Sequence, residues 1–183
     1  MRLFVRLSLI GLVALVAIGF WLTQKAQPDF NAPQEGKQAK VEVLDSQCED
    51  SGISLLVDFG SKASVPTVAK CLKNYTGTSW DIFAAAGLEV TGTQTYPVGF
   101  VCRIQNFPNQ ADEPCLDTPK ANIGSWAYFV AQPGSDQWQY STWGAATHKP
   151  SCGSAEAWLF KYPQDNLESP PISRAQTSDC TNK

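Results

Sequence analysis

The chain has 183 residues, 43% of them apolar and 17% charged, with a formal net charge of −3. These values suit one domain of ordinary size with flanking segments, and without a basic patch they give nucleic-acid binding no electrostatic support. A single histidine, His148, excludes multi-histidine metal sites, and any Ser/His or Cys/His nucleophile system would have to use it.

At the N-terminus Arg2 and Arg6 precede an uncharged apolar run over 7–22. Residues 1–23 therefore read as a signal anchor or a cleaved signal peptide. As a helix the run would reach about 25 Å, just short of a comfortable span. Ala26 offers a small residue before a cut, but Gln24 stands where a second small residue is wanted, and no cysteine follows the run to carry a lipid. In either form the positive-inside rule places the rest of the chain outside the cytoplasm, secreted or held at the membrane. Residues 24–51 are polar and carry Pro28 and Pro33, as in a stalk.

Residues 52–162 carry the pattern of a folded domain. ISLLVDFG (53–60) is a strand ended by glycine. TGTSWDIFAAAGLEV (76–90) is a helix, with Thr78 and Asp81 resembling a capping box and Gly87 as its stop. VGFVCRIQNFP (98–108) is a second strand, WAYFVA (126–131) and QWQYSTW (137–143) form a hairpin around PGSD, and SAEAWLFKY (154–162) is the last strand. One amphipathic helix packed on a small mixed or antiparallel sheet is an α+β arrangement, suited to a β-grasp-like layout in which the sheet curls around the helix. The tail, 163–183, is polar, and Cys180 suggests that it is stapled back to the domain, with Cys48 as one candidate partner.

Six cysteines in an exported chain suggest disulfides, and six allow fifteen pairings. Cys102–Cys115 is the best single pair, because it closes a Pro-containing loop directly after a strand; the pairing of Cys48, Cys71, Cys152 and Cys180 stays open. No CxxC spacing supports a metal site. His148 lies near Cys152, but an even cysteine count favours a disulfide there over a nucleophile. With no Gly-rich phosphate loop, GxSxG elbow or paired carboxylates, the expectation is a protein that is not an enzyme and requires no cofactor.

The hairpin holds six aromatics. If Gln132 faces Gln137 across the loop, Phe129 faces Tyr140 and Ala131 faces Trp138 on one side, an apolar face expected to cover the helix. Trp126 then faces Trp143, and Tyr128 faces Ser141, on the other. That second face combines Trp126, Tyr128 and Trp143 with Gln139 and Ser141, large rings amid small polar groups, as a ligand-binding wall requires. Trp80 and Trp158 read as core. Glu156 shares a face with Trp158 as a solvated edge residue or a polar ligand contact. Arg103 points away from Cys102 and Ile104, as a surface charge or an anion contact.

Taken together, these elements resemble a family of secreted bacterial proteins of unknown function that is similar to the transcobalamin-type C-terminal β-grasp domain. The matching residues are VDFG (57–60), Cys71, AAG (85–87), VCRI (101–104), Pro108 and Cys115. The hairpin residues Trp126, Tyr128, Phe129, Trp138, Tyr140, Ser141 and Gly144 follow, and then a P-x-x-G-x-x-E-x-W-x-F pattern formed by Pro150, Gly153, Glu156, Trp158 and Phe160. The resemblance implies a β-grasp fold, a small-molecule ligand that could be of the cobamide type, and a link to bacterial vitamin uptake. The chain departs from it in Cys48, Cys152 and Cys180, and in Phe129 and Val130 where relatives tend to carry Trp and His; Val130 cannot ligate a metal. The expected function is thus an extracytoplasmic, membrane-tethered module that binds a small ligand or cofactor. Its alternative is an envelope module that contacts another protein or the cell wall.

Overall fold

The computed structural model describes residues 39–119 and 122–180. The apolar run over 7–22, and with it the signal or anchor reading, lies outside these residues. Among the described residues no helix is long and apolar enough to cross a membrane.

The protein is mostly sheet. Among the described residues the strands are β1 (Glu42–Leu44), β2 (Ile53–Asp58), β3 (Val68–Lys73), β4 (Val90–Thr91), β5 (Arg103–Ile104), β6 (Ser125–Ala131), β7 (Gln139–Tyr140) and β8 (Ala155–Lys161), with one short helix, α1 (Asp81–Ala85). Six strands form a mixed sheet in the order β1-β3-β2-β8-β6-β7, and β4 pairs with β5 in a second, two-stranded sheet. β2 and β8 are the central pair and run parallel, with Leu56 opposite Ala157; the other pairings are antiparallel. A parallel pair is covered on both faces, which explains why β2 and β8 read as nearly unbroken apolar runs rather than alternating ones.

One face of the sheet packs Leu55, Val57, Tyr128, Val130, Trp158 and Phe160 against Ile82 and Phe83 of α1, with the Phe83 and Trp158 rings 5.4 Å apart. The other face is narrower, built on Leu56, Ala127, Phe129, Ala157 and Leu159, with Trp138 packed against it. The helix therefore covers the Tyr128 face, not the Phe129 face expected of it. Alternation shows which residues share a side, but not on which side the connecting chain crosses.

Three other expected elements are shorter. Thr78 and Asp81 do exchange hydrogen bonds at the start of α1, Thr78 Oγ1 donating to Asp81 Oδ2 at 2.7 Å and Asp81 N to Thr78 Oγ1 at 3.2 Å. The helix expected over 76–90 nevertheless ends at Ala85, because Gly87 turns the backbone left-handed (φ 72°) and Leu88 N donates back to Phe83 O. The strand expected over 98–108 is confined to β5. Ile104 and Phe107 exchange both backbone hydrogen bonds around Gln105 (φ 49°) and Asn106 (φ 60°), and two consecutive left-handed residues make a tight reversal. The second hairpin strand is confined to β7, in the register in which Phe129 faces Tyr140. β1 and β3 were not among the expected strands.

The disulfides are Cys48–Cys71, Cys102–Cys115 and Cys152–Cys180. Cys180 is thus tied to Cys152 and not to Cys48, and no free cysteine is present among the described residues. Three intramolecular disulfides suggest an oxidising, extracytoplasmic environment. They also move the boundaries of the folded part outward. β1 and Cys48, within the stretch read as stalk, belong to the compact unit that begins at Ala39. The tail packs as well: Ala175 is buried, Trp138 Nε1 donates to Ser173 O at 2.8 Å, and Ser178 N donates to Gly153 O at 2.9 Å. Gly153 has φ 84°, and a Cβ there would lie 2.1 Å from Ser178 O, so the tail can dock only against glycine. Replacing Cys152 and Cys180 together by serine opens a loop with a sequence separation of 28, and it is expected to lower the unfolding free energy in urea by about 3–4 kcal/mol. An unchanged urea midpoint and unchanged protease resistance of the tail would show that the bridge does not hold it.

Candidate functional site

A buried polar cluster lies beneath the sheet face that α1 covers. Glu156 of β8 is fully buried, directly opposite Val130 of β6. A carboxylate without water must find donors inside the protein. Ser79, at the entry to α1, and Tyr128, on β6, each donate to Glu156 Oε1 at 2.5 Å. His148 Nδ1 lies 3.1 Å from the same oxygen, 2.8 Å from Tyr128 OH and 3.0 Å from Ser79 Oγ. Local backbone bonds bring these groups together. Ser79 N donates to His148 O and Trp80 N to Ala145 O, both at 2.9 Å, while the turn over 144–148 closes through His148 N to Gly144 O at 3.0 Å.

One placement of the protons satisfies the cluster with Glu156 as a carboxylate. Each hydroxyl has one proton, and a carboxylate is the strongest acceptor in the cluster, so both point to it. Nδ1 then meets no remaining donor and carries its own hydrogen toward Oε1. In the neutral ring this leaves the Nε2 lone pair free, and Nε2 makes no hydrogen bond among the described residues. Oε2 of Glu156 and the indole N–H groups of Trp126 and Trp158 are buried without a hydrogen-bond partner among those residues. The arrangement differs from a nucleophilic triad, in which serine and acid occupy opposite ring nitrogens. Here Ser79 and Glu156 both face Nδ1, and Ser79 is out of solvent. Cys152 is bonded to Cys180 and offers no thiolate.

His148 links this cluster to the surface. Its side chain is 16% exposed, and it lines a cavity of about 230 Å³ together with Trp143, Gln132, Lys149, Ser151 and Ser154. The Trp143 indole stacks on the imidazole, with centroids 4.7 Å apart and planes 11° from parallel. β7 ends at Tyr140, and after Ser141 N donates to Tyr128 O the chain leaves the sheet, turning where Trp143 N donates to Ser141 Oγ at 3.1 Å. Trp143 is consequently 51% exposed and does not face Trp126 across a hairpin.

The five residues expected to form one binding wall therefore separate. Trp126 is in the core, edge-on to Phe59, Phe107 and Phe160. Tyr128 is also buried, stacked on Trp158 at 4.4 Å with its hydroxyl in the polar cluster. Gln139 is exposed on β7, and Ser141 holds the turn that carries Trp143. Of the five, Trp143 alone is among the residues lining the cavity. Glu156 is neither solvated nor at an edge. The sequence contained one signal for the cluster: an acidic residue inside AEAWLF, in phase with Trp158 and Phe160, points inward. Ser79 carried no comparable signal, because its partners are 69 and 77 residues away.

Comparison of the chain with protein-family models, with curated proteins and with solved structures found no match.

Burial, and then the neighbouring Glu156 carboxylate, raises the Tyr128 phenol well above the ordinary tyrosine value. Burial also raises Tyr75, with Asp81 and Glu156 adding to it. A group that holds its proton more tightly when folded contributes stability that is complete below its unfolded pKa, and loses it as pH rises beyond. Urea stability is expected to fall above pH ~10, at up to ~1.4 kcal/mol per pH unit for each such tyrosine. Tyr128→Phe is expected to remove one tyrosine's share of that slope, and to cost about 1–3 kcal/mol at neutral pH by leaving Glu156 a donor short. An alkaline slope identical in the variant would contradict the buried phenol.

Proposed function

We propose that the protein is an extracytoplasmic module that binds a small ligand carrying a flat or ring-shaped apolar face, in the cavity lined by Trp143 and His148. The observation that carries this reading is the half-exposed Trp143 indole stacked on an imidazole whose other edge is anchored in the core. An exposed ring costs solvation, and holding it rigid prepares a stacking surface at little entropic cost on binding. Gln132, Ser151, Ser154 and Lys149 supply polar groups around it, and His148 Nε2 can accept a hydrogen bond from the ligand. At about 230 Å³ the cavity suits a single ring or side group and not a whole corrin. A cobamide could engage it only through a peripheral group.

The order β3-β2-β8-β6, with its first and last strands in the sequence side by side and parallel, supports a β-grasp-like layout with a shortened helix. Tethering by residues 1–23, and service to a vitamin or cofactor uptake system, belong to the same proposal and rest on the N-terminal pattern and the family resemblance. A second reading, an envelope module that contacts a protein or the cell wall, is favoured by Tyr96, Val98 and Phe100, which are exposed in close succession.

The test is a calorimetric and thermal-shift screen of the full-length chain against cobamides, other ring-bearing vitamins and glycans. At least one ligand is expected to bind saturably. Trp143→Ala is expected to weaken that binding at least ~10-fold, about the effect of losing one aromatic stacking partner, while changing stability by no more than ~1 kcal/mol because the ring is half in solvent. A ligand that binds equally well to the variant would move the site elsewhere. A crosslinked protein partner recovered without any ligand would favour the second reading.

A further inference from the structure

A second cavity, of about 440 Å³, lies beside the two-stranded sheet and is lined by residues that include Thr91, Thr93, Gln94, Gln110 and Arg103. Arg103 is the one charged residue among the described residues lining it. Its guanidinium is half-buried and held by two main-chain carbonyls: Nε donates to Pro108 O at 2.7 Å and Nη2 to Glu113 O at 2.5 Å. These two bonds use the side edge of the fork. The end edge, made of Nη1 and the second proton of Nη2, has no partner among the described residues, and no carboxylate among them lies within ion-pair distance of Arg103. The Glu113 carboxylate instead accepts from Cys115 N through Oε1, at 3.0 Å.

We propose that this cavity is a binding site for a small organic carboxylate, gripped end-on by Arg103. A partly desolvated guanidinium without a counter-ion is costly to keep, and its planar end edge matches the two oxygens of a carboxylate. The frame is rigid. Arg103 pairs with Thr91 across the two strands, Cys102 N donates to Thr91 O at 2.9 Å, and the Cys102–Cys115 disulfide closes the loop that supplies both carbonyls. Gln94 N donates to Cys115 O at 2.8 Å, binding the far wall to the same loop. An edge fixed in this way pays little ordering entropy when it binds. The single positive charge among the described lining residues suits a carboxylate, with one negative charge, better than phosphate, with its larger charge. Thr91, Gln94 and Gln110 can hydrogen-bond to the rest of such a molecule, and Val90, Pro97 and Pro114 can cover its carbon skeleton. The site is independent of the Trp143 cavity.

Isothermal titration of the full-length chain with butyrate, N-acetylglycine and inorganic phosphate tests this directly. At least one of the two carboxylates is expected to bind saturably with one site per chain, and phosphate more weakly. Arg103→Gln is expected to weaken carboxylate binding by about 10- to 100-fold, the worth of a charge-assisted bidentate contact. Arg103→Lys is expected to weaken it nearly as much, because charge without the fork does not reproduce the grip. Both variants could disturb the Pro108–Glu113 loop, so Gln110→Glu, at an exposed position, supplies a carboxylate of its own to the cavity and is expected to lower affinity by a similar factor in a folded protein. Absence of saturable carboxylate binding, binding that survives Gln110→Glu and Arg103→Gln unchanged, or phosphate binding tighter than either carboxylate would overturn the proposal.

Discussion

The Glu156 carboxylate, on a central strand and wholly out of solvent, is the constraint around which this structure is arranged. An unpaired buried carboxylate would cost several kcal/mol, so its donors must arrive from elsewhere in the chain. They come from three directions: Ser79 at the entry to α1, Tyr128 from the neighbouring strand, and His148 from the turn before β8. Meeting this one requirement seats the helix on the sheet, through Ser79 N and Trp80 N on the 145–148 carbonyls. It also fixes the edge of the His148 imidazole.

The same network couples core to surface. His148 has one edge among buried oxygens, and it lines a cavity together with Trp143. Residues that respond to solvent on one side and to a fixed charge on the other are found where ligands bind, because the scaffold has already oriented them. The disulfides work at the margins of this scaffold. Cys48–Cys71 ties down the entry to the sheet, Cys102–Cys115 frames the second cavity, and Cys152–Cys180 holds the tail across the narrower face. A domain with one short helix and small alanine-rich contacts on one face gains from such bridges, which limit the unfolded chain more than they strengthen the folded one.

Much of the sheet was legible. β2, β6 and β8 carry apolar runs bounded by turn residues, and the hairpin register, with Phe129 opposite Tyr140, followed from the loop alone. β3 was not legible, because VAKCLK places its two lysines three residues apart, one on each face, in a strand whose burial is mostly intermediate. The helix is shorter than its residues suggest: AAAG has high helix propensity, but the left-handed Gly87 and the return of the chain to β4 stop it after α1. Of the candidate site, Tyr128 and Trp143 were found by their chemistry, yet they were grouped with Trp126 by an alternation that ends where β7 does.

What the sequence by itself determined is local: where strands begin and end, which side chains share a face, and, from an even cysteine count behind a signal-like N-terminus, that bridges should form. What only the tertiary structure decided is which face α1 covers, which cysteines pair, and that Ser79, Tyr128, His148 and Glu156 meet at one point. Periodicity reports the direction of a side chain relative to its own strand, over a few residues. The contacts that make the site join residues up to 77 positions apart, and they are chosen by how the layers close over a buried charge.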